Sequence, residues 1–380
     1  MRPASIGSHN VPPSTQQLLS MYQKMTLVRR FEERAVQAYG MKKIQGFCHL
    51  YIGQEAVAVG ALEALEPTDF VLTGYRDHGH PLIRGANPGM IMAELFGRSQ
   101  GYSKGKGGSM HLIDVEHAYY GGYGIVGGQI PLAAGFAFAS RYRNDGRVSV
   151  CFFGDAAANQ GAFLESLNMA SKWKLPVIYI CENNKYGMGT DISRVSGEPE
   201  IHKRAAAFAM KGEAYDGMDA VASFETVKAA ADHCRAGKGP VLLEAMCYRY
   251  RGHSMSDAAT YRTKDEVEQE RKNDPIPKLG DWMLKKKLAT QAQLDEADAH
   301  AKKVAEEAIA FAEASPEPSM DELYTDMYVE PGDRDVPPRE RALGANDVKW
   351  PKWPEQFDVT WDLEPLPKNV TALPTKKGAA

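Results

Sequence analysis

A chain of 380 residues has room to bury a sizeable core, in one large domain or two small ones. With 45 basic against 49 acidic residues it lacks the positive excess that phosphate neutralisation requires, which argues against a nucleic-acid partner. No apolar run approaches the ~20 residues of a membrane span, and the five cysteines form no CxxC pair, so neither a membrane protein nor a disulfide scaffold or zinc site is indicated.

Residues 1–14 lack the apolar stretch of a secretory signal and are expected to form a flexible arm. Over 15–40, apolar positions recur at three and four, Ser14 and Thr15 are candidate caps and Gly40 a stop, which predicts a helix. A second helix is expected at 54–66, a buried strand at "DFVLTGY" (69–75) and a helix at 90–97. The stretch 101–128 is glycine-rich with little periodicity, and a long connection of that kind inside a domain is usually functional. The small-residue run "PLAAGFAFASRYR" follows as a helix, then the apolar strand "RVSVCFFG" (147–154), a helix at about 159–173 and the apolar strand "LPVIYICEN" (175–183). A helix at 221–232 leads to the strand "PVLLEAMCYRY" (240–250), and helices are expected at 264–273, 279–287 and 291–314. Fully apolar strands alternating with helices predict an α/β fold, a mainly parallel sheet flanked by helices on both faces. The reading gives one domain over 15–330 and an extension over 331–380. That extension is proline-rich, yet holds Trp350, Trp353 and Trp361, and is expected to lie along a surface of its own subunit or a neighbour, with a partly ordered, inert extension as the alternative.

Asp155 follows a strand and precedes a helix, and Asn184 ends the next strand 29 positions later. In a parallel sheet both project from the carboxyl ends of neighbouring strands, where open α/β sheets bind ligands. A carboxylate and an amide carbonyl are hard oxygen donors suited to a Mg²⁺ completed by phosphate oxygens. The helix opening near Asn159 adds free N–H groups that favour an anion. Asp155 also suits a simple helix cap, but the paired asparagines and Gly-Met-Gly turn of "ENNKYGMGT" are not needed for packing.

"GDAAANQG…ENNKYGMGT" resembles the thiamine-diphosphate motif. Together with "GFCHLYIGQEA", "YRDHGH", "GKGGSMH", "GGYGIVGGQIPLAAG" and "YRYRGHSMSD", residues 15–328 resemble the alpha subunits of the thiamine-diphosphate-dependent 2-oxo-acid dehydrogenases, those for pyruvate in particular. The resemblance implies a thiamine-diphosphate-binding fold and assigns Mg²⁺ to Asp155, Asn184 and the Tyr186 carbonyl. It implies cofactor contacts from Tyr75, Arg76, Arg249, the backbone of Gly124 and Val126, and Gly154, Ala156 and Ala157 at the diphosphate, with Ile125 as a wedge under the cofactor. His49, His78 and His253 are implied at the active-site mouth, His49 and His253 for charge stabilisation and proton transfer. Phe47 is expected to narrow the pocket, and Ser254 matches a serine that is phosphorylated in some relatives. The resemblance further implies a beta subunit in a two-plus-two heterotetramer, delivery of an acetyl group to the lipoyl domain of a dihydrolipoyl acetyltransferase, and a bacterial cytoplasmic setting, with the mitochondrial matrix as the alternative. Acetoin and branched-chain 2-oxo-acid dehydrogenases share much of the pattern, and a non-catalytic assembly subunit is a further alternative. A Rossmann dehydrogenase is disfavoured, because no GxGxxG opens a helix after a strand. Ala156 stands where the motif has glycine: a positive φ there would cost roughly 1 kcal/mol or more, so a negative φ is expected.

Overall fold

A computed structural model describes residues 12–326, so the expectations for residues 1–11 and for the extension from 331 lie outside the described residues. The chain divides into a large unit that ends at Ser319 and a second that begins at Met320, in which a short 3-10 turn spans Met320–Leu323. In chain order the large unit comprises helix α1 (Thr15–Gly40), α2 (Glu55–Glu63), strand β1 (Phe70–Gly74), α3 (Gly79–Arg84), α4 (Pro88–Leu95), β2 (Tyr119–Tyr123), α5 (Gln129–Arg143) and β3 (Ser149–Gly154). It continues with α6 (Gly161–Lys172), β4 (Val177–Asn183), β5 (Tyr186–Gly187), β6 (Thr190–Asp191), β7 (Lys211–Asp216), α7 (Ala220–Arg235), β8 (Val241–Met246), α8 (Lys264–Arg271), α9 (Pro275–Lys285) and α10 (Gln291–Ala314).

Six strands form one sheet in the order β2-β1-β3-β4-β8-β7, and every pairing is parallel. The expected layering follows from strand alternation. In β3, Val150 and Phe152 join a core with Val57 of α2 and Val227 of α7; Cys151 and Phe153 join a second core with Ala133 of α5 and Phe163 of α6. In β4, Ile178 and Ile180 face the first core while Tyr179 and Cys181 face the second. All five cysteines are buried and unpaired, as their apolar surroundings imply. No helix among the described residues is long and apolar enough to cross a membrane.

The expected helices form with shifted ends. Ser14 caps α1 in a reciprocal box with Gln17, while the helix expected from about 159 becomes a 3-10 turn over Asp155–Asn159 followed by α6 from Gly161. The expected strand over 240–250 stops at Met246. Two strands add to the sheet beyond expectation, β2 inside the glycine-rich stretch and β7 at the far edge.

Candidate functional site

The candidate site residues are carried at or just beyond the carboxyl end of a strand, apart from His49, which comes from the connection between α1 and α2. Tyr75 and Arg76 follow β1, Gly124 and Val126 follow β2, Gly154 ends β3 and Asp155 follows it, Asn184 and Tyr186 follow β4, and Arg249 follows β8. Gly154 pairs with Glu182 in the sheet register, which brings the two motif halves side by side. One cleft is lined by Tyr75, Arg76, Val126, Gly154, Asp155, Ala156, Ala157, Asn184, Tyr186 and Arg249. This is the strand-end crevice that a parallel sheet offers a ligand.

The cleft contains isolated charge of both signs. Arg76 is buried and gives its guanidinium to neutral acceptors, Nη1 to the Leu50 carbonyl at 2.6 Å and Nη2 to the His253 carbonyl at 2.9 Å. Burial, then the nearby Arg249, pushes its pKa down to about 10. Arg249, 1% exposed, donates from Nη1 to Asn184 Oδ1 at 3.2 Å and to the Tyr186 carbonyl at 3.4 Å, and from Nη2 to the Met188 carbonyl at 3.1 Å and Tyr261 Oη at 2.8 Å. Neither arginine forms an ion pair among the described residues, so the cleft is built to take an anion. Asp155 is 3% exposed, and burial pushes its carboxyl up to about 6, with Arg249 opposing. A desolvated carboxylate beside an amide oxygen and a backbone carbonyl that already converge on one cationic nitrogen is a donor set that fits a hard divalent cation. The residues present therefore fit a diphosphate with Mg²⁺.

Ala156 lies within the 3-10 turn and is not among the residues with positive φ, so its methyl imposes no left-handed strain. The methyl instead faces the next strand end: a Cβ on Gly187 would come 2.7 Å from the Ala156 Cβ, so the glycine of the Tyr186–Gly187 strand accommodates the alanine. The loop bearing Tyr186 is braced from outside by α8. Tyr186 Oη donates to Glu266 at 3.0 Å, as does Tyr248 Oη at 2.8 Å, and Lys185 Nζ reaches Glu270 at 2.7 Å.

His49, Tyr75 and His253 gather as one aromatic cluster, with ring centroids 4.6 Å apart for His49–Tyr75, 5.1 Å for His49–His253 and 5.6 Å for Tyr75–His253. Burial, then Arg76, lowers His49 to about 2 and His253 to about 4, so both rings are neutral at neutral pH. Each leaves Nδ1 without a protein partner, ready for a proton or a substrate oxygen. The loop holding His253 is folded on Asp257, whose Oδ2 accepts from His253 N at 2.6 Å and from Tyr261 Oη at 2.9 Å. Gly252 is required there, since a Cβ would sit 2.6 Å from the Asp257 carbonyl. Ser254 is buried in this loop, its hydroxyl 2.9 Å from Ser256 Oγ.

One expectation is corrected by depth. His78 is not at the mouth: it is fully buried, with Nδ1 2.9 Å from Glu32 Oε2 and Nε2 2.8 Å from Ser109 Oγ. Ser109 Oγ in turn accepts from His49 N at 3.3 Å, so His78 supports His49 from below. Phe47 and Ile125, expected to narrow the pocket and to wedge the cofactor, are 61% and 79% exposed on this chain, so both side chains are free to meet a ligand and neither expectation is overturned.

Several residues went unread in the sequence. Glu182, also in the cleft, accepts a hydrogen bond from Tyr51 Oη, and burial pushes its carboxyl up to about 7, with Tyr51 and Arg76 opposing. Its position two residues before Asn184 was the available signal. His111 places its imidazole beside Gly124, Nδ1 3.2 Å from the Gly122 carbonyl. Glu94, fully buried, accepts four backbone N–H groups of the glycine-rich loop: Ser103 and Gly105 on Oε2, each at 2.8 Å, and Gly107 and Gly108 on Oε1 at 2.8 and 2.9 Å. Gln54 contacts Asn184 from the α2 side.

Residues 23–321 match the family described as Dehydrogenase E1 component. The "Pyruvate dehydrogenase E1 component subunit alpha" of Rhizobium meliloti (strain 1021) is 53% identical over 312 residues, covering 82% of this chain and 90% of its own. The protein of the same name from Zymomonas mobilis is 48% identical over 339 residues, 86% of this chain and 94% of its own. The testis-specific mitochondrial form from Rattus norvegicus is 47% identical over 315 residues, 82% of this chain and 80% of its own.

Proposed function

The chain belongs to the dehydrogenase E1 component family, and from that membership we infer that it serves as the alpha subunit of a thiamine-diphosphate-dependent pyruvate dehydrogenase, an oxidoreductase acting on a 2-oxo acid. The observation that carries the site reading is the meeting, in one strand-end cleft, of two arginines without acidic partners and the buried Asp155 without an ion-pair partner. Arg76 and Arg249 would hold the diphosphate, joined by the backbone of Gly154, Ala156 and Ala157. Asp155, Asn184 Oδ1 and the Tyr186 carbonyl would hold Mg²⁺, and Tyr75 with the backbone of Gly124 and Val126 would hold the remainder of the cofactor.

Thiamine diphosphate, when bound, supplies the carbanion chemistry that decarboxylates a 2-oxo acid. The work left to this chain is binding, orientation and proton management. His49 and His253 stand neutral above the cleft and can accept or return a proton at Nδ1. Their low proton affinity comes from desolvation beside Arg76, so a bound carboxylate or diphosphate raises it toward the working range. His78, held by Glu32, keeps the His49 segment in place through Ser109.

Our reading also includes a beta subunit completing a two-plus-two heterotetramer, an acetyl group passed to the lipoyl domain of a dihydrolipoyl acetyltransferase, and a cytoplasmic setting, for which the bacterial relatives speak. Co-expression with a beta subunit, followed by cofactor and metal analysis and turnover of pyruvate, 3-methyl-2-oxobutanoate and acetoin, tests it. Preferred turnover of pyruvate with both groups retained is expected. Normal pyruvate turnover by this chain alone would refute the need for a partner, and preference for either other substrate would refute the substrate assignment.

A further inference from the structure

Resting on the metal reading above, we propose that Gln54 is a positioning residue that fixes which end of the Asn184 amide faces the cation. A carboxamide has two ends of nearly equal shape and opposite chemistry, and only the oxygen can ligate a metal. Asn184 is 7% exposed and Gln54 is 1% exposed, so solvent does not select the orientation. Asn184 Nδ2 donates to Gln54 Oε1 at 3.1 Å, while Oδ1 meets Arg249 Nη1 at 3.2 Å. Rotating the amide by half a turn would set its NH₂ against a guanidinium that can only donate, and its oxygen against the oxygen of Gln54. Arg249 selects this orientation because it can only donate, and Gln54, with Oε1 turned to Nδ2, matches it from the opposite side.

Gln54 is the member of this pair that stays useful once a cation is bound, because a second positive charge at Oδ1 weakens the hold of Arg249. The Gln54 backbone is itself fixed. It precedes α2, its N–H donates to the Tyr51 carbonyl at 3.0 Å and its carbonyl accepts from Val57 N at 3.0 Å. Gln54 lines the same cleft as Arg76 and Asp155, so an anionic oxygen bound there would take its Nε2 and keep Oε1 turned toward Asn184. Groups that orient a metal ligand are typically worth 10–100-fold in metal affinity.

The test is Mn²⁺ affinity, read from the electron paramagnetic resonance of free Mn²⁺, at saturating thiamine diphosphate in chain co-expressed with its beta subunit. Gln54→Met keeps the shape and removes the acceptor, Gln54→Asn withdraws the acceptor by one methylene, and Gln54→Glu keeps an oxygen opposite Nδ2. The first two are expected to weaken Mn²⁺ binding by about 10–100-fold and Gln54→Glu to recover most of it. Asn184→Ala is the reference. If it loses Mn²⁺ while Gln54→Met and Gln54→Asn bind like the parent, the role of Gln54 is overturned. If Asn184→Ala itself binds Mn²⁺ normally, the metal assignment of Asn184 falls, and the role of Gln54 with it.

Discussion

Replacing Glu94 by Gln exchanges one carboxylate oxygen for an amide NH₂ and tests what orders the glycine-rich loop. The carboxylate of Glu94 takes Ser103 and Gly105 N–H on one oxygen and Gly107 and Gly108 N–H on the other, all within 2.9 Å. In the variant one oxygen becomes an NH₂ that faces two N–H donors, and the charge that strengthened the other pair is gone. Two charge-assisted hydrogen bonds at ~1.5–3 kcal/mol each give a loss of about 3–6 kcal/mol, concentrated in the loop. At tenfold per 1.4 kcal/mol, hydrogen exchange at those four amides should accelerate by at least about 100-fold, while amides of β3 and β4 keep their protection. The loop leads into Ser109, which sits under His49, and His111, which sits beside Gly124, so activity should fall with it. Unchanged protection at Gly105 and Gly107 would refute the view that this carboxylate, and not the packing around it, holds the loop.

Burial pushes the Asp77 carboxyl up to about 7 from an ordinary 3.8. The folded state therefore binds this proton more tightly than the unfolded chain, and the associated stability is full below about 3.8 and lost as pH rises from there through about 7. Asp77→Asn, which keeps an acceptor for Leu112 N, should raise the melting temperature at pH 8 and change it far less at pH 4; an equal shift at both values would sink the explanation. Gly252→Ala pushes a methyl into the Asp257 carbonyl and should cut kcat by displacing His253, with the α/β fold intact by circular dichroism; an unchanged kcat counts against the tight turn. Tyr261→Phe removes the hydroxyl between Arg249 and Asp257, so trypsin should cut at Arg251 or Arg262 faster than in the parent, and equal cutting rates would show the bridge is not what holds the loop.

How far the sequence could be read follows from where each signal resides. β3 and β4 are apolar on both faces, so their runs "VSVCFF" and "VIYICEN" announce buried parallel strands and place Asp155 and Asn184 at their ends. β7, "KGEAYD", is an edge strand with an exposed start, and β2, "YYGGY", is short and glycine-interrupted, so neither carries an apolar pattern. α3 opens on Gly-His-Pro and runs only six residues, too short for periodicity. Depth was the least legible quantity. "YRDHGH" places three polar side chains within three residues, but only the tertiary contact with Glu32, 46 residues earlier, shows that His78 is interior. The Gln54–Asn184 contact spans 130 residues and leaves no local mark on either segment.

The tether of Arg76 links carbonyls on either side of it along the chain, Leu50 26 residues away and His253 177 residues away. Contacts that distant in sequence pay their loop-closure entropy late, after the nearer pairings have formed. During synthesis, a chain that has not yet released residue 253 from the ribosome has its β3 and β4 strand ends but lacks both the second anchor of Arg76 and the Arg249 side chain behind Asn184. The ligand cleft is therefore among the last parts of the molecule to be finished, and fragments ending before β8 should fail to retain a diphosphate even where their sheet has begun to assemble.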